Sequence, residues 1–433
     1  MMKKRLILLI GIVLTAITLA ACSGGGSDDA GGDVEVPEGA TEVVMWNLFG
    51  GGDAAFMQEI VDEFNASQDA IFVNNVQQEF EEYYTKLITS VSAGKGPDLA
   101  VSHASVLPEL VSQGLVQELD TYGEEVGVNW GEFNQNILES TVFDEQHYAI
   151  PIDTHPHIFF VNNKLVGDAG LMNEDGSVKM EQTPEGFVEF MTTLKEELPE
   201  DKFPMSFSTA GVDSYRLWFS FYTQLGGENI VTDDLENPEY VLDVDKAIEA
   251  AEYMHDLWHE HEVIPLNLAD FYADFQSGNA ATTSTGVWAT GTWEATEELE
   301  FTALPAPNIF GQDAAFGNSH TFVVPTSQDA DPEVQKGAIE FMDYATDKGV
   351  IWAEAGHIPS KTTVVESEEY AELPYRSDYV EVANYVNFPD QTVHARGIED
   401  IMIRNLDLIW TDEESPEEAF KLIEDEVKAL IGG

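Results

Sequence analysis

Residues 42–64 read EVVMWNLFGGGDAAFMQEIVDEF, and their pattern decides the fold class. Glu42 to Leu48 is a short apolar run with β-branched residues, which predicts a strand. Gly50, Gly51 and Gly52 turn the chain, and Asp53 stands where a helix N-cap is expected. Phe56, Met57, Ile60, Val61 and Phe64 follow at helical spacing and form one apolar stripe. The unit then repeats. Ala70 to Val76 predicts a second strand, Glu79 to Ala93 a second helix, Pro97 to His103 a third strand and Val106 to Gln113 a third helix. Strands alternating with helices at this rhythm predict an α/β domain with a parallel sheet covered on both faces. Ligands of such sheets bind beyond the carboxyl ends of the strands, where Trp46 to Gly52 and Ser102 to Ser105 fall.

The middle of the chain changes character. Helices are predicted over Pro184 to Glu197, Asp213 to Leu225 and Asp243 to His261, with a loop-rich stretch from Gly226 to Tyr240. Phe301 to Pro307 is extended and punctuated by proline, which predicts a crossover. Thr321 to Pro325 predicts another strand. Asp331 and Pro332 form an N-cap and N1 pair opening a helix with Ala338, Phe341, Met342 and Ala345 on one face. From Arg376 onward the pattern is mostly helical.

The chain has 433 residues, enough for two or three domains, and 43% hydrophobic residues, enough to bury a large core. Its charge is the outlier: 80 acidic against 19 basic residues, a formal net of −61. A polyanion of this kind cannot neutralise phosphates, so nucleic acid and anionic membrane surfaces are excluded as partners. The acidity is spread along the chain, as in a surface built for solvation in high salt, and a halophilic or haloalkaliphilic source is expected. The one cysteine, Cys22, rules out an internal disulfide and Cys-rich metal sites.

Residues 1–21 carry Lys3, Lys4 and Arg5, an apolar run from Leu6 to Ala20 and small residues before Cys22, the pattern of a secretory signal peptide. The run is too short for a spanning helix of about 20 residues. Leu19-Ala20-Ala21-Cys22 resembles a bacterial lipoprotein lipobox, which implies cleavage before Cys22 and lipid attachment there. Residues 22–41, rich in Gly, Ser and Asp, read as a flexible tether. An extracellular body on the outer face of the cytoplasmic membrane is expected, or a periplasmic one if an outer membrane is present.

Six blocks carry a second resemblance: VMWNLFG (44–50), GKGPDLAVSHASVLPELVSQGLVQELD (94–120), HYAIPIDTHPHIFFVNNKL (147–165), DFQSGNAATTSTGVWATG (274–291), FTALPAP (301–307) and the run from Thr321 to Lys361. In this order they resemble the extracellular solute-binding proteins of ABC-type sugar importers, of the maltose-binding-like type. The resemblance implies a two-lobed α/β fold of the periplasmic-binding-protein kind, with hinge crossings and a ligand cleft between the lobes. It implies residues 42–152 plus 307–358 in lobe 1 and 153–306 plus 359–433 in lobe 2. It also implies a monomer, not an enzyme, that closes on a neutral sugar and hands it to a membrane permease.

A neutral sugar needs aromatic rings for its C–H faces and amides, hydroxyls or carboxylates for its hydroxyls. The stretches that the resemblance puts at the cleft supply Trp46, Asn47, Tyr83, Tyr84, Ser102, His103, Asp153, Thr154, Trp288 and Trp352, with His155, His157 and His357 beside them. Trp288 occupies the tryptophan of the family's Gly-x-Trp element. Where the family often has a Gly-Gly pair, this chain has Asn318-Ser319-His320, and the role of His320 stays open at this level. Arg216, Arg376, Arg396 and Arg404 fall outside the expected cleft segments, which favours a neutral over an anionic ligand.

Two rival readings are weaker. His255 to His259 reads HDLWH, close to the H-E-x-x-H zinc helix but with Asp256 in place of the catalytic glutamate, and its helix carries a packing stripe. A receptor for a metal or a neutral osmolyte is thus an alternative. A glycosidase would need two flanking carboxylates, which 80 acidic residues supply by chance. No G-x-S-x-G or nucleotide loop is present, and no cofactor is expected.

Overall fold

The structure, a computed structural model, describes residues 35–235 and 237–432. The expected signal peptide, Cys22 and most of the expected tether lie outside the described residues. The described residues from Val36 onward belong to one contact-linked unit.

Two sheets organise that unit. In the first, Thr41–Asn47 lies next to the edge strand Ile71–Gln77, pairs with it in parallel along its whole length, and pairs through Met45 and Trp46 with Leu99 and Ala100 of the central strand Leu99–His103. Helix Gly51–Ser67 buries Met57, Ile60, Val61 and Phe64 on one face, where Phe64 meets Phe341 of helix Pro332–Asp347 edge-on. Asp331 caps that second helix by accepting from the Glu333 N–H at 3.0 Å. Asp53 is not the cap expected of it. Gly50 is the N-cap and Asp53 lies inside the first turn, where a carboxylate still meets the helix's unpaired N–H groups.

The sheet is mixed, not wholly parallel as its opening rhythm predicts. His320–Val323 inserts beside Leu99–His103 antiparallel, and Ile150–Pro151 pairs antiparallel with it in turn. The strand at 320 comes from more than 200 residues downstream and enters from the opposite end, which no local pattern encodes.

The second sheet runs in the order Phe301–Pro305, His157–Asn162, Ala280–Gly286, Phe203–Ser206. Every residue of its two central strands is buried. Phe301–Pro305, expected as a crossover, is an edge strand antiparallel to His157–Asn162. Its proline sits at the strand end, where a missing N–H costs the ladder least. Helices Val212–Gln224, Val244–His259, Ala395–Trp410 and Pro416–Ile431 share one core with this sheet, filled by Trp218, Trp258, Trp410 and Phe420. Each such side chain contributes roughly 1.5–3 kcal/mol or more by leaving water. The first sheet has its own core around Val43, Met45, Leu99, Val101 and Phe341. The molecule is therefore two-lobed.

Three crossings join the lobes and lie side by side. The Asp153–Thr154 bridge strand pairs antiparallel with Ile358–Pro359. On its other side, the Ile152 N–H donates to His320 O at 2.7 Å and the His155 N–H to Asn318 O at 2.9 Å. Residues near 153, 319 and 358 thus meet although some 200 positions separate the first from the last.

Candidate functional site

Asp153 is the centre of the crossings and is fully buried. Its Oδ1 accepts from the His320 backbone N–H at 3.0 Å and pairs with His155 Nδ1 at 3.0 Å. Its Oδ2 accepts from the Trp352 indole N–H at 2.6 Å and pairs with His320 Nδ1 at 2.8 Å. His357 Nδ1 lies 3.6 Å from the same oxygen, and its Nε2 lies 3.3 Å from Asp53 Oδ2. Neither contact of His357 is aligned as a hydrogen bond, so both of its ring nitrogens are buried without a hydrogen-bond partner.

His103 closes the group from the first sheet. Its ring centroid is 4.8 Å from that of His320 and 5.7 Å from that of His155, and its Nδ1 is 2.6 Å from the Tyr84 hydroxyl. Phe49 and Trp352 wall the cluster: Phe49 packs against His320 and Trp352, and Trp352 stacks on His357 with ring centroids 4.8 Å apart.

The charges follow from these neighbours. Burial opposes ionisation of Asp153, but the imidazoles of His320 and His357 and the His155 contact hold it well below the usual carboxylate range. Burial drives His155 down to about 3, aided by His320, and drives His103 well below its ordinary value. Burial also acts on His357, but Asp53 and Asp153 outweigh it and push that imidazole up. Asp53 is lowered in turn: burial raises it and His357 more than compensates. The core of the site is thus a buried carboxylate, with His357 held between two acids and His155 and His103 driven toward their neutral forms.

On the second-lobe side of the cluster, Trp288 forms the N-cap of the short helix Ala289–Glu294 and keeps part of its ring open. His155 and His157 meet it edge-on with centroids 6.0 and 5.7 Å away, and its indole N–H donates to the Tyr272 hydroxyl at 3.2 Å. The Arg216 guanidinium lies between two rings, 5.5 Å from Trp288 and 5.5 Å from Phe316. Asp213 pairs with Arg216 at 3.3 Å and approaches His157 Nε2 at 3.5 Å. Arg216 Nε and both nitrogens of His157 are buried without hydrogen-bond partners.

Arg216, expected outside the cleft segments, stands at the fifth position of helix Val212–Gln224, which brings its guanidinium against the Trp288 ring. Its pairing with Asp213 offsets the added charge.

The other expected ligand residues divide by exposure. Asn47 is buried, accepts from the Phe49 N–H at 2.9 Å and donates to Asn75 Oδ1 at 2.5 Å, so its amide shapes the turn after the strand. The Tyr83 hydroxyl donates to Val101 O at 2.6 Å and contacts Trp46 O at 3.1 Å. Thr154 donates to Asn318 O at 3.0 Å, and Ser102 to His103 O at 3.2 Å. Trp352 is fully buried and spends its N–H on Asp153. Trp46 is mostly buried, with Lys86 Nζ 4.8 Å from its ring centre. Tyr84, His103 and Trp288 keep part of their surface open, with Tyr84 and His103 in contact.

The reading of the sequence singled out Asp153 and His103 but left His155, His157 and His357 beside the site and His320 open. A signal was present. Half of the ten histidines gather here, and His155 and His157 stand two apart, on one face of an extended segment.

A two-lobed α/β body whose crossings carry a polar cluster, with an aromatic platform at its edge, defines a solute receptor that binds between lobes. The model of the bacterial extracellular solute-binding protein family matches residues 59–376, and the chain belongs to that family. Its place is accordingly extracellular or periplasmic. The diacetylchitobiose binding protein DasA of Streptomyces coelicolor is 28% identical over 173 residues, 39% of this chain and 39% of that protein's length. The cyclic alpha-maltosyl-1,6-maltose binding protein of Arthrobacter globiformis superposes with a TM-score of 0.75 at 20% identity, over 91% of this chain and 99% of that one. UgpB from Mycobacterium tuberculosis, solved with glycerophosphocholine, gives 0.77 at 16% identity over 91% and 99%.

Proposed function

We propose that this chain captures a neutral carbohydrate, a disaccharide or short oligosaccharide, between its lobes and delivers it to an ABC transporter permease. It acts as a monomer held through lipidated Cys22 on the outer face of the cytoplasmic membrane, and as a receptor without turnover. The observation that carries this reading is the half-buried Trp288 beside Arg216 Nε and the His157 ring, both buried without hydrogen-bond partners. An aromatic face suits the C–H side of a pyranose, and hydroxyl oxygens would supply the acceptors that Arg216 and His157 lack. The Asp213–Arg216 pair leaves little net charge for an anionic ligand to meet. The ligands named for DasA and the maltosyl-maltose protein point to the same class.

Ligand that touches both lobes binds the closed form best, so it shifts the open–closed equilibrium. Isothermal titration in molar salt against neutral mono- to tetrasaccharides, with glycerophosphodiesters as the anionic arm, tests the proposal. One saturable saccharide supports it. Binding of the phosphodiester alone, or hydrolysis of a bound oligosaccharide, overturns it.

A further inference from the structure

We propose that Asp153, His155, His320 and His357 form a binding site for one divalent transition-metal ion, at the point where the three crossings touch. The proposal does not rest on the carbohydrate reading. Each of the four residues offers one ligand atom, and these atoms all lie within 4.8 Å of one another. A tetrahedral ion with bonds of about 2.0–2.1 Å spaces its ligands about 3.3 Å apart. The separations from Asp153 Oδ2 bracket that value, 2.8 Å to His320 Nδ1 and 3.6 Å to His357 Nδ1, and the other carboxylate oxygen, Oδ1, lies 3.0 Å from His155 Nδ1.

The donor chemistry selects the ion. Three imidazoles and one carboxylate suit zinc, cobalt or nickel, whereas calcium and magnesium demand six or more oxygens. The supporting groups are those a metal site needs. The Trp352 indole N–H and the His320 backbone N–H fix the two Asp153 oxygens, and Asp53 faces the far nitrogen of His357. His357, buried with neither nitrogen hydrogen-bonded, is a polar group that the protein alone leaves unsatisfied. Phe49 and Trp352 shield the position from water.

The ligands come from different crossings: Asp153 and His155 from the first, His320 from the second and His357 from the third. An ion there pins the hinge segments to one another. The second cluster among the described residues, His255, His259 and Asp412, is partly exposed on the surface, and His259 Nε2 already contacts Trp410 O at 2.9 Å.

The test uses the full chain, stripped of metal, in a His255→Ala/His259→Ala background that removes the surface cluster. Cobalt is titrated in and followed by visible absorption, with zinc as competitor and magnesium as the hard-ion control. One equivalent with the intense bands of a tetrahedral ion is expected, displaced by zinc and not by magnesium. His320→Gln and His357→Gln are each expected to weaken cobalt binding by at least about 10–100-fold, the loss that even outer-shell changes cause. No saturable cobalt binding, or the same affinity in both variants, overturns the proposal. If the variants do not fold, as circular dichroism would report, the unsubstituted cluster decides: a weak octahedral spectrum or zero equivalents overturns it. Saccharide titration in the presence of chelator separates this result from the carbohydrate reading.

Discussion

The Trp352 indole N–H donates to Asp153 Oδ2 at 2.6 Å across 199 positions of sequence, and it does so with both groups fully buried. A hydrogen bond to a buried carboxylate is worth about 1.5–3 kcal/mol, and the partner left behind carries the desolvation penalty. Trp352→Phe keeps a ring against Phe49 and His357 and removes the donor. Urea unfolding is expected to show a loss of about 2 kcal/mol. A change below about 0.5 kcal/mol would show that the contact does not hold the crossings.

Trp288 makes the opposite prediction, because its ring is the part-open one. Trp288→Ala is expected to weaken saccharide binding by roughly 2 kcal/mol, about 30-fold, with calorimetric unfolding without ligand measuring separately the stability lost with its contacts to Tyr272 and Arg216. Unchanged affinity in the isothermal titration would remove Trp288 from the site.

Asp390 sits nine-tenths or more buried, accepting from the Ile230 N–H at 3.2 Å and the Val231 N–H at 3.0 Å. Burial outweighs those bonds and raises it from 3.8 to about 7. The folded state therefore holds a proton that the unfolded chain releases near 3.8. The resulting stability is complete below that value and is lost as pH rises through about 7, with a slope of up to about 1.4 kcal/mol per pH unit. Urea unfolding of the chain and of Asp390→Asn between pH 4 and 8, in molar salt, checks it. The variant should lack this part of the pH dependence, and parallel curves would refute the assignment.

The formal charge of −61 makes a prediction about salt. Screening lengths fall from about 30 Å at 0.01 M to about 3 Å at 1 M, so self-repulsion across the surface is relieved in molar salt. The thermal midpoint is expected to rise steeply over that range. Equal midpoints would sink the reading of the acidity as a salt adaptation.

Much of the fold was legible because its signals are local. The stripe Met57, Ile60, Val61, Phe64 read as a helix and is one, and helix Pro184–Glu197 has the bounds its pattern predicts. Asp53 departs from expectation for a reason of the same kind: its capping preference is visible, but the turn made by Gly50 starts the helix three residues earlier. Phe301–Pro305 reads as a crossover because Pro305 and Pro307 hide a strand that an edge position tolerates. The parallel opening of the first sheet was visible, and the antiparallel return of His320–Val323 was not.

The site divides along the same line. Sequence alone determined the element types, the two-domain size, the acidic surface and the presence of aromatic and polar residues near strand ends, since each depends on composition or on periods of two and 3.6 residues. Only the tertiary structure decided that Asp153, His155, His320 and His357 share one buried position, that Arg216 joins Trp288, and that Trp352 supports a carboxylate from within the core. Those contacts form where the chain passes three times between two lobes. Their geometry is set by loop closure over hundreds of residues, on which hydrophobic periodicity carries no information.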